Sequence, residues 1–202
     1  MSAASSTRNL FKRKVAYALM YLVQQVRIVM FRCLSTARAD GLPTLHQPLQ
    51  MIGDGSIRFG KDIHIGVFPS PFYMSGYAYI EARGRNAVVE LGDGTKINNG
   101  FVVIAEHTSI ILGRNVLIGT NVEIYDSDFH GLHREARLRS DPACARPVVI
   151  GDEVFLGSNV KVLKGVRIGA GSVVANGSVV VNDLPENVIA GGIPAKVLRG
   201  IQ

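Results

Sequence analysis

Residues 150–185 read IGDEVF LGSNVK VLKGVR IGAGSV VANGSV VVNDLP when the chain is cut every six residues. Each hexad opens on Ile, Leu or Val. The second residue is usually small, and the fifth is Val, Ser or Leu. The same cut fits LGDGTK INNGFV VIAEHT (91–108) and LGRNVL IGTNVE IYDSDF (112–129), and more weakly FGKDIH IGVFPS (59–70). A period of six is neither the 3.6 of an α-helix nor the two of a simple strand. It is the period of a β-solenoid in which each hexad is one short strand and a turn, and three hexads close a triangular coil. The aliphatic first residue fills the interior, and the small second residue suits the corner. Each coil buries its apolar face only by stacking on the next. The expectation is therefore an all-β parallel β-helix over residues 51–202.

The rhythm breaks once in the middle. Hexads start at 112, 118 and 124, and the next clear one starts at 150, an interval of 26 that six does not divide. Residues 130–147, HGLHREARLRSDPACARP, are thus expected to leave the coil as a loop and return. Excursions from a rigid scaffold commonly carry binding and catalytic groups. His130 stands where the next interior aliphatic is due. A neutral imidazole can take a proton from a hydroxyl near pH 7. Asp126 or Asp128 would hold its ring in one tautomer, and strand alternation puts both on one side, so spacing does not choose between them. His133 is expected beside the site, either as a surface histidine of the loop or as a residue that binds the acceptor. No Gly-x-Ser-x-Gly elbow is present.

Outside the coils the chain changes character. Of its 202 residues, the first 40 hold seven basic residues against Asp40 alone, a charge of +6, the whole of the formal net charge. Positions 41–202 hold 15 basic and 15 acidic residues and sum to zero. A neutral body argues against nucleic-acid binding. Two cysteines make no disulfide framework and fit a reducing, cytoplasmic setting. The apolar run VAYALMYLV (15–23) is too short to span a bilayer. No small-residue cleavage site follows closely, so the segment is expected to stay on the mature protein. Phe11, Val15, Ala18, Leu22, Val26, Val29 and Cys33 make one stripe at helical spacing. The arm, residues 1–40, is therefore expected as a basic amphipathic helix, followed by a linker at 41–50. Its stripe packs on the body or a partner subunit, or it rests through residues 8–34 on the inner face of a bacterial membrane.

The hexads, closed by VIAGGIPAKVLRG (188–200), resemble the left-handed β-helix acyltransferases, and among them the sugar O-acetyltransferases of the galactoside, maltose and polysaccharide or lipopolysaccharide type. The resemblance covers about residues 50–200. It implies the left-handed coil, a homotrimer, acetyl-CoA as donor, no metal, and a sugar or glycan acceptor in cell-surface polysaccharide biosynthesis. It also implies a catalytic His at His130, in the pattern His130-Gly131-Leu132-His133. Ser158 and Asn176 match positions along the pantetheine arm, and Lys196 and Arg199 match those meeting the phosphates. Phe155 matches an aromatic wall, and Asn99 an amide facing the acceptor and the reacting centre. The aromatic segment 67–85 either shapes the acceptor site or caps a subunit contact. Alternatives are N-acetylation of a nucleotide-linked amino sugar, a non-catalytic scaffold, and a γ-carbonic-anhydrase-like metal enzyme using His107, His130 and His133.

Overall fold

The protein is described by a computed structural model over residues 3–201, with side chains from Asn9 onward; Met1, Ser2, Gln202 and the side chain of Arg8, all within the expected segments, lie outside the described residues. Three sheets of six, eight and six strands form the sides of a triangular prism. Strands within a sheet are parallel, except that Ala195–Gly200 turns back antiparallel on Val188–Gly192 and ends the second sheet. Successive coils pair Ile150 with Ile168, Leu156 with Val174 and Val162 with Val180, a step of 18 residues or three hexads.

The core follows the hexad. First-position residues Ile150, Leu156, Val162, Ile168, Val174 and Val180 are fully buried, and so are most fifth-position residues. Two serines in fifth position, Ser172 and Ser178, lose no hydrogen bond by burial. Their hydroxyls donate to the carbonyls of Pro185 (2.8 Å) and Ala175 (2.7 Å). The corner needs two special positions. At the second, adjacent coils touch: a Cβ on Gly119 would stand 2.6 Å from the Ser158 nitrogen. At the fourth, the backbone is left-handed, with φ of 56°, 53° and 59° at Asn115, Asn121 and Asn159. Asn and Gly tolerate that region best. The turn of the corner thus lies at the fourth position, and the small second residue answers to stacking.

Residues 41–50, expected as a linker, belong to the coil. Ala39–Asp40 pairs with Ile57–Arg58, and Thr44–Leu45 pairs with His64–Ile65. Sheet pairing here uses backbone alone, so Pro43 and Pro48 hide the coil without preventing it. A second excursion, residues 66–77, leaves between His64–Ile65 and Ala78–Ala82. The buried amide of Asn99 donates to the carbonyls of Val67 (3.0 Å) and Pro71 (2.8 Å) and accepts from the Val67 N–H (3.1 Å). Gln47, also buried, donates to the Phe72 carbonyl.

Helix α1, Ala3–Leu34, docks on that excursion. Gln24 is fully buried and donates to the Tyr73 carbonyl at 2.6 Å. Arg27 donates to Gln24 and to the Gly76 carbonyl. Tyr17 packs edge-on against Phe68, and Phe31 against Tyr77. The docking face is therefore Tyr17, Gln24, Arg27, Ile28 and Phe31, including the polar residues that interrupt the apolar run. The expected stripe, Phe11 to Cys33, points the opposite way and is exposed. It does not pack on the protein's own body.

Candidate active site

The large excursion spans residues 126–147, between Glu123–Tyr125 in the third sheet and Val148–Ile150 in the first. It contains two short 3-10 turns, Arg134–Ala136 and Pro142–Cys144. Ile118 pairs with Leu156, a step of 38 residues against the usual 18, so twenty residues are looped out without disturbing the coils. The backbone carbonyl of Asp126 accepts from the Arg146 N–H at 2.9 Å and closes the loop at its base.

His130 lines a cavity of about 740 Å³ with Ile104, Tyr125, Asp128, Phe129 and Leu163. Its Nδ1 lies 3.0 Å from the Arg137 carbonyl. A carbonyl only accepts, so Nδ1 carries the proton and Nε2 keeps a free lone pair. Phe129, immediately before, sits at φ 61°, a left-handed conformation unfavourable for a bulky residue by about 1–2 kcal/mol. It is held there by its ring, edge-on to Tyr125 and under the Arg83 guanidinium at 5.1 Å, and by its N–H donating to Ser127 Oγ. That turn presents the next residue, His130, to the cavity.

Neither acid expected to orient His130 does so. The Asp126 carboxylate is fully buried and accepts from the N–H groups of Glu106 (2.7 Å), His107 (3.1 Å) and Thr108 (2.7 Å) and from Thr108 Oγ1. Asp128 lines the cavity but is ion-paired with Lys164. The Arg137 carbonyl takes the orienting place. Asn99 is also corrected: it is buried and its amide is committed to residues 67–71, so it offers no donor to a reacting oxygen. His133 is exposed at the start of a 3-10 turn and lines a neighbouring cavity of about 460 Å³ with Cys144. The three histidines of the metal alternative have separate surroundings. His107 meets Ser140 Oγ at 3.1 Å, and no group of three or more potential ligands occurs among the described residues.

A buried carboxylate missed by the sequence reading ties the loop down. Glu106 accepts from Ser127 Oγ and Ser140 Oγ, both at 2.7 Å, and from Arg83 at 2.9 Å. Burial opposes its charge, but these three donors outweigh burial and hold its carboxyl below the ordinary glutamate value. Ser127 precedes His130 by three residues and Ser140 follows Arg137 by three, so one side chain grips both arms of the turn that fixes the imidazole. Glu106 belongs to the plain hexad VIAEHT, and only its spatial partners reveal it.

The expected donor residues gather on another edge. Ser158 and Asn176 stack on the corner between the second and third sheets. The Ser158 N–H donates to Asn176 Oδ1 at 2.8 Å, and Ser158 Oγ accepts from the Thr120 N–H. Phe155 is exposed on the second sheet beside Leu117 and Val173. Lys196 and Arg199 are exposed on the last strand of that sheet, opposite Gly191 and Ile189. His130 lies on the opposite edge of the third sheet, so a single chain does not place its imidazole among them.

The hexad-built prism is the fold of the hexapeptide-repeat class of transferases. The family model described as bacterial transferase hexapeptide (six repeats) matches residues 147–182. An Escherichia coli protein provisionally named lipopolysaccharide biosynthesis O-acetyl transferase WbbJ is 36% identical over 160 residues, 75% of this chain and 76% of that one. The galactoside O-acetyltransferase of the same organism is 35% identical over 113 residues, 56% of this chain and 54% of that one. A hexapeptide-repeat acetyltransferase structure from Vibrio cholerae is 28% identical, covers 94% of this chain and 90% of its own, and gives a TM-score of 0.53. The chain belongs to the hexapeptide-repeat acetyltransferases, and its coil is the left-handed parallel β-helix of that family. It spans about half the length of several of the curated relatives it matches.

Proposed function

We propose that this chain transfers an acetyl group from acetyl-CoA to a sugar hydroxyl, in the building of a cell-surface polysaccharide or lipopolysaccharide, with His130 as general base. The observation that carries the reading is the Nδ1 contact to the Arg137 carbonyl. It leaves Nε2 as the acceptor on a residue that lines the cavity. Nε2 takes the proton of the acceptor hydroxyl as its oxygen attacks the thioester carbon. The tetrahedral intermediate collapses, the carbon–sulfur bond breaks, and the imidazolium returns the proton to the sulfur. The products are an O-acetyl ester and CoA thiol. Backbone N–H groups, rather than Asn99, are left to stabilise the oxyanion.

Ser158 and Asn176 are proposed to line the pantetheine arm, Phe155 to wall the site, and Lys196 and Arg199 to meet the phosphates. Because the imidazole and these residues lie on different edges, the reading includes a homotrimer in which the His130 edge of one copy faces the donor edge of the next. The galactoside and lipopolysaccharide relatives support a glycan acceptor, and the supply of acetyl-CoA supports a cytoplasmic setting.

The test is acetyl-CoA consumption against a panel of sugars, nucleotide sugars and lipid-linked glycans. His130→Ala is expected to lower transfer by roughly 100-fold or more, the scale of a lost general base. His133→Ala is expected to have a much smaller effect. Equal losses, or a loss confined to His133→Ala, would reassign the base.

A further inference from the structure

Helix α1 turns only one side to the body. Through Gln24, Arg27 and Phe31 it grips the 66–77 excursion, and its far side meets no other element among the described residues. Between Val15 and Leu34 that far side is an arc of roughly 160° at 3.6 residues per turn. It carries no polar or charged side chain except the Cys33 thiol. Leu19, Leu22, Val23, Val26, Val29 and Met30 lie along it, each between 46% and 63% exposed. An apolar surface this continuous is unusual on a soluble protein without an occupant.

We propose that this face lies on an anionic lipid surface, with the helix between the bilayer and the β-helix. Charge selects the occupant. Residues 1–39 hold seven basic residues and no acid, whereas residues 40–202 hold 15 basic and 16 acidic. Lys12, Arg13 and Lys14 lie ahead of the arc, and Arg32 and Arg38 follow its main part. A second copy of this chain offers that arm no surplus of negative charge; an anionic bilayer does. The arc also lacks the hydrogen-bonding groups that set register in a protein interface, and a fluid apolar layer needs none. No helix among the described residues is long and apolar enough to cross a membrane, so the helix rests in the surface. The docking polar residues and the free apolar arc lie on opposite sides, so a planar surface reaches the arc without displacing the body.

The experiment uses the full chain sedimented with vesicles of phosphatidylcholine, with or without phosphatidylglycerol. Binding to the anionic vesicles, reversed by high salt, is expected. Each basic residue near such a surface contributes about fivefold, so replacing Lys12, Arg13 and Lys14 with Gln should weaken partitioning roughly 100-fold. Leu22→Glu with Val26→Glu should abolish it. Both variants should turn over a soluble acceptor at the unaltered rate, which separates this proposal from the catalytic one. The charge variant keeps the apolar arc intact, so its weaker binding cannot come from a misfolded helix. The proposal is overturned if the full chain stays in the supernatant with anionic vesicles. It is also overturned if Leu22→Glu with Val26→Glu lowers the assembly mass without vesicles, since a second copy would then be what covers the face.

Discussion

Asp126 shows how far a residue's sequence neighbours can mislead about its work. It precedes His130 by four positions, yet the chain turns a corner between them. Its carboxylate points back into the coil below, where four donors of residues 106–108 converge on it. Removing one partner of a buried hydrogen bond costs about 1–3 kcal/mol for each group left unmatched. Asp126→Ala strands three backbone N–H groups, and is expected to destabilise the fold by about 3 kcal/mol or more. Asp126→Asn keeps one acceptor oxygen and should lose less. Acetyl transfer per folded molecule should change only a few-fold in either variant. Thermal melts beside activity check this: an activity loss as deep as that of His130→Ala with an unaltered melt would return Asp126 to the histidine. That His130 stands on an excursion was legible from the break in a period of six. Its true partner was not, because the Arg137 carbonyl is backbone and leaves no mark in residue type.

The excursion loop is an element tied to the coil through Glu106. The single carboxylate holds Ser127 on the outgoing arm and Ser140 on the returning arm, and Arg83, itself over the Phe129 ring, completes the clamp. Because the folded-state carboxyl is held below the ordinary value, near 4.3 for a glutamate, its contribution to stability is fully present above that value. It is lost as pH falls through the lower folded value, when protonation removes the charge that three donors share. Hydrogen exchange of residues 126–147, taken relative to the intrinsic rate at each pH, should therefore accelerate as acidification passes below the ordinary glutamate range in the natural sequence. Glu106→Gln should show that faster exchange already at neutral pH and lack the acid step. Its kcat should fall with little change in the KM for acetyl-CoA, since it positions the imidazole and touches no donor atom. A loop that exchanges equally slowly in both proteins would remove Glu106 from this role. The coils were legible because buried first and fifth residues repeat strictly. The opening coil at 39–52 and the dock for α1 were not: both rest on backbone pairing and on Gln24, Gln47 and Asn99, polar residues whose burial no periodicity announces.

At the scale of the whole molecule the unresolved distance is between two edges of one prism. His130 stands at the end of the third sheet, and Ser158 and Asn176 stand at its start. In the proposed trimer, triangular prisms packed about a threefold axis would bring an edge of each copy against a different edge of its neighbour, so that every site would draw on two copies. This arrangement predicts complementation. His130→Ala leaves the donor edge intact, and Lys196→Ala with Arg199→Ala leaves the imidazole edge intact. Alone, the second variant should raise the KM for acetyl-CoA more than it lowers kcat, and its deficit should be largest at low salt, where the lost charges are least screened. At acetyl-CoA concentrations far below that raised KM, each variant by itself is nearly inactive. Unfolded together and refolded as an equal mixture, they form trimers in which about one site in four joins an intact imidazole edge to an intact donor edge. Activity should then rise to about a quarter of that of the natural sequence. Mixing without unfolding should give none of this gain where the proposed trimers keep their subunits. If refolded mixtures only average the two variants, the site is built within one chain, and the donor residues must be sought around the His130 cavity itself.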